Sequence, residues 1–348
     1  MKKCGKTNNW SYALNYLMRS VKNTEFLPVW ATMTLTTKCN LSCGYCYFSQ
    51  DENIAQDMDI NLAKEIISWL HKQGCRGIAL FGGEPTLLGD NLIEIVRFAA
   101  EKRMYVYLST NGVLLARDRY FLEEVCKSGA SVIAYAVDCV YPIKGMPKKS
   151  NYELLENLDL MRKKYKIKPQ LNTIITKANI SELYCLAAIA RLYKMPITSR
   201  LFSAQLLNRA IHDNYNPQLF AFDTEESLLK LDKLIADLIK FKKETRLILD
   251  PYESLLRIPK IARGIEAPFD CSGGKYTLSF GTQGQIYSCV DEMIKGPCFY
   301  RDLEGPQIFD KNILNQTIKK CSALCTACAE QQTAYSIKHP IKFIFNFP

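Results

Sequence analysis

The sequence predicts an α/β protein, a partial (β/α)6 TIM-like barrel followed by a small cysteine-rich domain. Three observations support this fold class. Short apolar runs alternate with amphipathic helical patterns six times between residues 30 and 202. Strands that alternate with helices pair in parallel through right-handed crossovers. Six such units are too few for a closed eightfold barrel, and the last third of the chain instead crowds six cysteines together.

Composition fits a globular metal-binding protein. The 348 residues, 48% of them hydrophobic, are enough for one large domain and a small one. The 14 cysteines are too sparse for a disulfide scaffold, and their clustering indicates metal in a reducing compartment. The basic N-terminus lacks a signal-peptide core, and no apolar run is long enough to span a membrane. We therefore expect a cytoplasmic protein.

The net charge of +10 comes partly from basic runs that flank predicted helices. A charge run without a groove-reading motif is typical of a solvated helix face, so a nucleic-acid partner is not expected.

The elements follow from periodicity. Alternating or apolar runs predict strands at 30–37, 77–81, 104–108, 131–137, 169–176 and 196–202, and helical spacing predicts helices at 10–22, 60–73, 91–103, 120–127, 152–165 and 222–245. Asp59 is positioned to cap the second of these helices. Asn179 and Glu182 have the spacing of an N-cap and N3 pair for a helix before the sixth strand.

These elements divide the chain into four predicted parts. An N-terminal helical segment covers 1–27, the barrel 28–210, linker helices 211–264, and the cysteine-rich domain with its tail 265–348. The last part opens with a hairpin of strands 277–280 and 285–288, and 341–347 has the alternation of an edge strand.

Three cysteines lie on one short loop after the first strand, at Cys39, Cys43 and Cys46. Soft thiolates select zinc, copper(I) or iron–sulfur clusters. A structural zinc or an ordinary 4Fe–4S cluster takes four ligands, and this loop offers three. The spacing alone leaves two alternatives: a cluster with one iron open to a small molecule, or a zinc loop that takes a fourth ligand from elsewhere.

Two further motifs follow later strands. Phe81-Gly82-Gly83-Glu84-Pro85 ends the second strand, and Ser109-Thr110-Asn111-Gly112 follows the third. Glycines let a backbone approach a ligand closely, and Pro85 restricts the turn at Glu84. With the cysteine loop, these motifs resemble, in order and spacing, the radical S-adenosylmethionine enzymes over roughly residues 28–205.

The resemblance implies the cofactors and their contacts. Cys39, Cys43 and Cys46 would hold a 4Fe–4S cluster whose open iron takes the amino and carboxylate groups of S-adenosylmethionine. The residues implied at the cofactor are Tyr45 near the adenine, Gly82, Gly83, Glu84 and Pro85 near the methionine end, and Asn111, Asp138 and Asn172. The family often has Ser-x-Asp at the end of the fourth strand. This chain has Ala136-Val137-Asp138 there and lacks the serine.

The second cysteine group resembles the auxiliary-cluster domains called SPASM or twitch. Cys271 and Cys289 frame the Gly-rich hairpin, and the tail adds Cys298, Cys321, Cys325 and Cys328. The full SPASM pattern carries seven cysteines for two clusters. Because this group has six cysteines, one auxiliary 4Fe–4S cluster is expected here. Its ligands would be Cys271, Cys289, Cys325 and Cys328, with Cys298 and Cys321 in reserve. A zinc ribbon that uses the same thiols is the alternative.

The resemblance implies reductive cleavage of S-adenosylmethionine, with the electron coming from a reductant such as flavodoxin or ferredoxin. The 5′-deoxyadenosyl radical would then take a hydrogen atom from a small-molecule substrate, leading to oxidation or C–C bond formation. One alternative is a maturase of ribosomal peptides, although the 38 residues before Cys39 are short for a leader-binding domain. Another alternative is a non-catalytic iron–sulfur or zinc protein. The sequence identifies no substrate.

Overall fold

The computed structural model describes residues 28–46, 56–146, 157, 160–202 and 216–290, and in the tail residues 325, 332, 333, 335, 336, 338 and 339. The predicted helix at 10–22, the predicted edge strand at 341–347, and Cys298, Cys321 and Cys328 lie outside these residues.

One eight-stranded sheet forms the centre of the described structure. The strands are β1 (Trp30–Thr36), β2 (Gly77–Gly82), β3 (Tyr105–Thr110), β4 (Val132–Ala136), β5 (Lys168–Ile175), β6 (Ile197–Leu201), β7 (Thr277–Phe280) and β8 (Ile286–Tyr287). Their order is β6-β5-β4-β3-β2-β1-β7-β8. Strands β1 to β6 pair in parallel with their chain neighbours. The six predicted strands and the partial barrel are confirmed.

Helices follow the strands, and most of them cover the outer face of this sheet. They are α1 (Ile60–Lys72), α2 (Asp90–Glu101), α3 (Val113–Arg117), α4 (Arg119–Lys127), α5 (Ile180–Tyr193), α6 (Pro217–Phe220), α7 (Glu225–Thr245) and α8 (Tyr252–Ala262). Asp59 caps α1 as predicted, because its side chain accepts hydrogen bonds from the backbone N–H groups of Asn61 and Leu62. Residues 161–165 of the predicted helix at 152–165 form a π-helical turn.

Successive residues of each strand alternate between the outer helices and the barrel interior. On β1, Met33 and Leu35 are fully buried in the core shared with the helices. Trp30 faces the other way and meets the rings of Tyr105 and Tyr107 at 6.3 and 6.2 Å. Trp30, Gly77 and Tyr105 lie in register across β1, β2 and β3, so the side-chain-free Gly77 lets the rings on either side meet. This aromatic cluster lies at the amino ends of the strands, opposite the end that carries the sequence motifs.

The predicted hairpin is present, but it is part of the barrel sheet. Strand β7 pairs in parallel with β1, and β8 is antiparallel to β7. Thr32 and Ser279 also join their side-chain oxygens across β1 and β7 at 2.5 Å. We expected this hairpin to open a separate small domain, and the structure adds that its strands extend the barrel sheet along the edge of β1, which periodicity could not reveal. The boundary at residue 265 stays a prediction.

Candidate active site at the carboxyl ends of the strands

The loop that carries the three cysteines is closed at its base by hydrogen bonds. The Met58 N–H donates to Leu35 O at 2.8 Å, and the Thr37 N–H donates to Gln56 O at 2.9 Å. Asp57 accepts from the Thr36 hydroxyl and from Lys38 Nζ, both at 2.6 Å. The chain thus leaves β1 and returns to its end, which fixes both ends of the cysteine loop.

Of the three loop cysteines, Cys43 is buried, and Cys39 and Cys46 are half-buried. The Cys46 N–H donates to Cys43 O at 2.9 Å, a tight turn that keeps these two residues together. In the described part of the chain, no three His, Cys, Asp or Glu side chains converge on one metal ion. A four-iron cluster is wider than a single ion, so its ligands stand further apart. Three cysteine thiols on one anchored loop fit such a cluster and would leave one of its irons without a cysteine ligand from this loop.

The two glycines of the Gly82–Pro85 motif are required by the backbone beside them. A Cβ on Gly82 would lie 2.2 Å from Thr36 O, and a Cβ on Gly83 would lie 2.1 Å from Lys38 O. The Gly83 N–H donates to Thr36 O at 2.7 Å, and the Glu84 N–H donates to Lys38 O at 2.8 Å. We expected these glycines to admit a ligand. The close approach that the structure shows is to the chain's own strand, just before Cys39.

Glu84 links the ends of β2 and β3. Its side chain is fully buried, and Oε1 accepts from Thr86 N at 3.0 Å and from the hydroxyls of Thr86 and Thr110 at 2.6 and 2.7 Å. Oε2 accepts from Asn111 N at 2.6 Å. Burial raises the pKa of this carboxyl, and the donated hydrogen bonds oppose that rise. Because these bonds use the carboxylate's acceptor capacity, Glu84 acts as a clamp within the protein, and its predicted contact with the cofactor stays a prediction.

Asn111 brings the end of β3 to the cysteine loop. Its side-chain nitrogen donates to Asn40 Oδ1 at 2.8 Å and lies 3.9 Å from Cys39 Sγ. The sequence motifs are therefore brought together around Cys39, as expected. Asn40 and Thr110 were not singled out from the sequence, although both sit inside motifs that were.

A second cluster of predicted residues lies at the end of β4. The Tyr45 hydroxyl donates to Asp138 Oδ2, and Asp138 Oδ1 accepts from the Ile174 N–H at 2.9 Å. The Tyr45 ring packs edge-on against Phe202 and Phe220, with centroids 6.5 and 5.5 Å away. The two phenylalanines carried no sequence signal, since any buried helix or strand end can hold one. Together these residues form an aromatic wall with one carboxylate beside the cysteine loop.

Asn179 and Glu182 occupy the predicted N-cap and N3 positions of α5, but the expected side-chain cap bonds are absent. Asn179 makes no side-chain cap bond to that helix. It donates to Asp138 O at 2.8 Å instead, and Glu182 Oε2 accepts from the N–H groups of Val140 and Tyr141 at 2.8 and 2.9 Å. The loop that follows β4 therefore takes the hydrogen bonds of both side chains in place of the helix end. Asn179 and Glu182 thus hold the segment that follows Asp138.

Asn172 lies apart from both clusters. Its Oδ1 accepts from Gln170 Nε2 at 2.9 Å and from the Thr198 hydroxyl at 2.5 Å, and its Nδ2 donates to the Tyr107 hydroxyl at 2.7 Å. This polar layer lies within the barrel, above the Trp30 cluster. Contact between Asn172 and the cofactor stays a prediction.

The described members of the second cysteine group are Cys271, Cys289 and Cys325, of which Cys289 is buried and the other two are half-buried. Cys271 Sγ accepts from Gly273 N at 3.3 Å, and Gly274 N donates to Ser288 O at 3.0 Å, so the two cysteines that frame the hairpin lie on adjoining segments. Their role as ligands, together with Cys325 and Cys328, stays a prediction.

Arg257 of α8 connects this region to the barrel. Its guanidinium is buried, donates from Nε to Ala267 O, and stacks over the Phe269 ring at 4.5 Å. Burial lowers the pKa of Arg257, and the negative charge of the Cys325 thiolate opposes this, so Cys325 lies within electrostatic reach.

Asp250 supports the far edge of the sheet. It is buried, and its Oδ2 accepts from Ser199 N at 2.7 Å and from the Ser199 hydroxyl at 3.1 Å. Gln332 Nε2 lies 3.5 Å from Oδ1, which brings the tail against the same carboxyl. Burial raises the pKa of Asp250 to about 6, against the lowering effect of its hydrogen bonds.

A parallel partial barrel with a three-cysteine loop and a Gly-Gly-Glu-Pro turn at its carboxyl edge is the arrangement of a radical S-adenosylmethionine domain. Residues 33–182 match the family described as the radical SAM superfamily. The chain therefore contains a radical SAM domain, and this family binds a 4Fe–4S cluster and S-adenosylmethionine.

Curated relatives with this domain are enzymes of several kinds. The Fe-coproporphyrin III synthase of Methanosarcina barkeri is 31% identical over 36% of this chain and 30% of its own length. The PqqA peptide cyclase of Rhodopseudomonas palustris is 36% identical over 29% of this chain and 26% of its own. The mycofactocin maturase MftC of Mycolicibacterium smegmatis is 24% identical over 75% of this chain and 64% of its own. The chain thus spans less than two thirds of the length of each of these relatives.

Solved structures share the fold. SuiB of Streptococcus suis bound to the precursor peptide SuiA aligns with a TM-score of 0.64 at 13% identity, over 93% of this chain and 74% of SuiB. The protein anSMEcpe with bound AdoMet aligns with a TM-score of 0.62 at 18% identity, over 92% of this chain and 93% of its own.

Among the described residues, no helix has the length and apolar character needed to cross a membrane.

Proposed function

We propose that this protein is a radical S-adenosylmethionine maturase that modifies a peptide. The observation that carries the proposal is the match to MftC, a maturase, over 273 residues. That stretch is longer than the 33–182 radical SAM domain, so the likeness extends beyond the part that all such enzymes share. The PqqA peptide cyclase and the fold of SuiB with its precursor peptide support the same substrate class. The expected small-molecule substrate is less well supported, although the Fe-coproporphyrin III synthase keeps it open.

When bound and reduced by an external one-electron donor, the cluster would supply the electron for cleavage of S-adenosylmethionine to methionine and a 5′-deoxyadenosyl radical, which would remove a hydrogen atom from the substrate. The chain's own residues hold and shield this chemistry. Cys39, Cys43 and Cys46 ligate the cluster, and Tyr45 with Phe202 offers an apolar wall on which an adenine can lie. Asp138, fixed by its bond from Ile174, is placed to accept a hydrogen bond from a ribose hydroxyl.

The barrel interior would receive the reacting residue of the peptide. The Trp30 cluster closes the amino end of the barrel. Access is therefore from the carboxyl end, where the cysteine loop lies. The small, half-buried side chains of Ser109 on β3 and Ala136 on β4 precede this end and leave room for a substrate side chain.

We further propose one auxiliary 4Fe–4S cluster at Cys271, Cys289, Cys325 and Cys328. It would accept the electron that the peptide radical loses after hydrogen-atom removal, or help to hold the peptide.

The test uses a short peptide encoded next to this protein's gene. Anaerobically reconstituted protein is incubated with S-adenosylmethionine, a strong reductant and the peptide, and products are followed by mass spectrometry. We expect a mass change in the peptide that matches 5′-deoxyadenosine formation, and neither product with Cys46→Ala, since its cluster lacks a ligand.

Two outcomes would contradict the proposal differently. If deoxyadenosine forms and only sugars, lipids or free amino acids stimulate it, the substrate is a small molecule. If cluster-loaded protein forms no deoxyadenosine with any reductant, the chain is not a radical SAM enzyme.

A further inference from the structure

The side-chain amide of Asn111 has a defined orientation. Its Oδ1 accepts from the Val113 N–H at 3.0 Å, which requires an oxygen at that position. The amide nitrogen therefore points the other way, to Asn40 Oδ1 at 2.8 Å and to Cys39 Sγ at 3.9 Å. A primary amide has two hydrogens, so it can donate to both acceptors at once.

The position of Asn111 is held from behind. Its backbone N–H donates to Glu84 Oε2 at 2.6 Å, and Glu84 is fully buried with further bonds from Thr86 and Thr110. Asn111 is itself 7% exposed. An amide fixed at both its backbone and its oxygen has little freedom to turn its nitrogen away from Cys39.

We propose that Asn111 is a positioning residue for the catalytic cluster, that its side-chain amide donates a hydrogen bond to the Cys39 thiolate, and that Glu84 holds it there. The sequence suggested instead that Asn111 contacts the cofactor. Hydrogen bonds to cluster sulfurs are one of the factors that set reduction potential. The reduced cluster carries one more negative charge, so a donor at its ligand stabilises the reduced form and raises the potential. The inference rests on the radical SAM domain alone and holds for any substrate.

Two substitutions of Asn111 separate the effect of losing the hydrogen-bond donor from the effect of adding a negative charge. Asn111→Asp keeps an oxygen for the Val113 N–H but removes both donations and adds a negative charge. Asn111→Leu removes the donor without adding charge. In a redox titration followed by electron paramagnetic resonance, without S-adenosylmethionine, both variants should show a more negative potential for the catalytic cluster, with the larger shift in Asn111→Asp. Asn40→Ala is the matched control. It removes the other acceptor, keeps the donor beside Cys39, and should retain the wild-type potential.

A second measurement does not depend on the stability of any Asn111 variant. Wild-type protein labelled with ¹⁵N at the asparagine side-chain amide should show a weak ¹⁵N coupling to the reduced cluster in pulsed electron paramagnetic resonance. The coupling should persist in Asn40→Ala. No coupling in the wild type would overturn the proposal even if the Asn111 variants lose their iron. Unchanged potentials in Asn111→Leu and Asn111→Asp at full iron content would overturn it equally.

Discussion

The two cysteine groups of this protein are built in opposite ways. Cys39, Cys43 and Cys46 lie within eight residues on a loop whose base is joined to β1 and β2 by backbone hydrogen bonds. The described members of the second group are residues 271, 289 and 325, which lie far apart in the sequence. The barrel therefore preforms the first site. The proposed second site would be assembled from distant segments, so metal binding would supply part of its folding energy. The two groups should therefore respond differently to substitution.

The largest effect is expected from crowding the preformed site. A Cβ at Gly83 would meet Lys38 O at 2.1 Å, so Gly83→Ala must move the strand that leads to Cys39. Overpacking of this kind costs about 1–3 kcal/mol or more, and here it breaks the bond from Glu84 N to Lys38 O. We expect reconstituted Gly83→Ala to bind about four irons, where the wild type binds about eight, and to lose S-adenosylmethionine cleavage.

Gly89→Ala is the matched control for that experiment. Gly89 has a φ of 53°, and a Cβ there would meet nothing within 4 Å. Its ψ is −124°, so the substitution should cost on the order of 1–3 kcal/mol of backbone strain, but it should keep its iron and its cleavage activity because the new Cβ does not touch the cysteine loop. Full iron and normal cleavage in Gly83→Ala would show that the cysteine loop is not held by this contact.

The next effect concerns the assembled site. Cys289→Ala should bind about four irons, cleave S-adenosylmethionine nearly as well as the wild type, and fail to turn over its true substrate. Proteolysis after Pro268 should become faster, because a region that takes folding energy from its metal opens without it. Loss of cleavage equal to that of Cys46→Ala, with an intact barrel, would show that the two sites are not separable. Full iron content would show that Cys289 is not a ligand.

The smallest effect on iron content and activity is expected from the contact between the tail and the edge of the sheet. The pKa of Asp250 is raised to about 6 in the folded protein, from 3.8. The folded state thus holds this proton more tightly than the unfolded state. The free energy of unfolding should then fall as the pH rises from about 4 to about 6, by on the order of 3 kcal/mol.

Asp250→Asn does not titrate and should lack this contribution. Urea denaturation of the metal-free wild type and variant at several pH values gives the free energy of unfolding of each. The contribution of Asp250 is the amount by which the difference between the two proteins changes with pH. A difference that does not depend on pH would show that Asp250 is not held protonated by burial.

The sequence by itself determined the elements and the chemistry of the first site. The strands β1 to β6 follow from apolar periodicity, and the Cys39–Cys46 loop is readable because its ligands are neighbours in the chain. The order of motifs along a parallel sheet also fixes that they meet at one edge, because the carboxyl ends of all its strands lie together.

Only the tertiary structure decided which partners these residues take. Glu84 reads as a cofactor contact in sequence, but it is buried and bonded to Thr86, Thr110 and Asn111. The hairpin reads as part of a separate domain, but β7 fills the open edge of β1. Local patterns show that a polar side chain or a strand edge needs a partner. The identity of that partner depends on which distant segment lies beside it with matching geometry. Tertiary packing decides this.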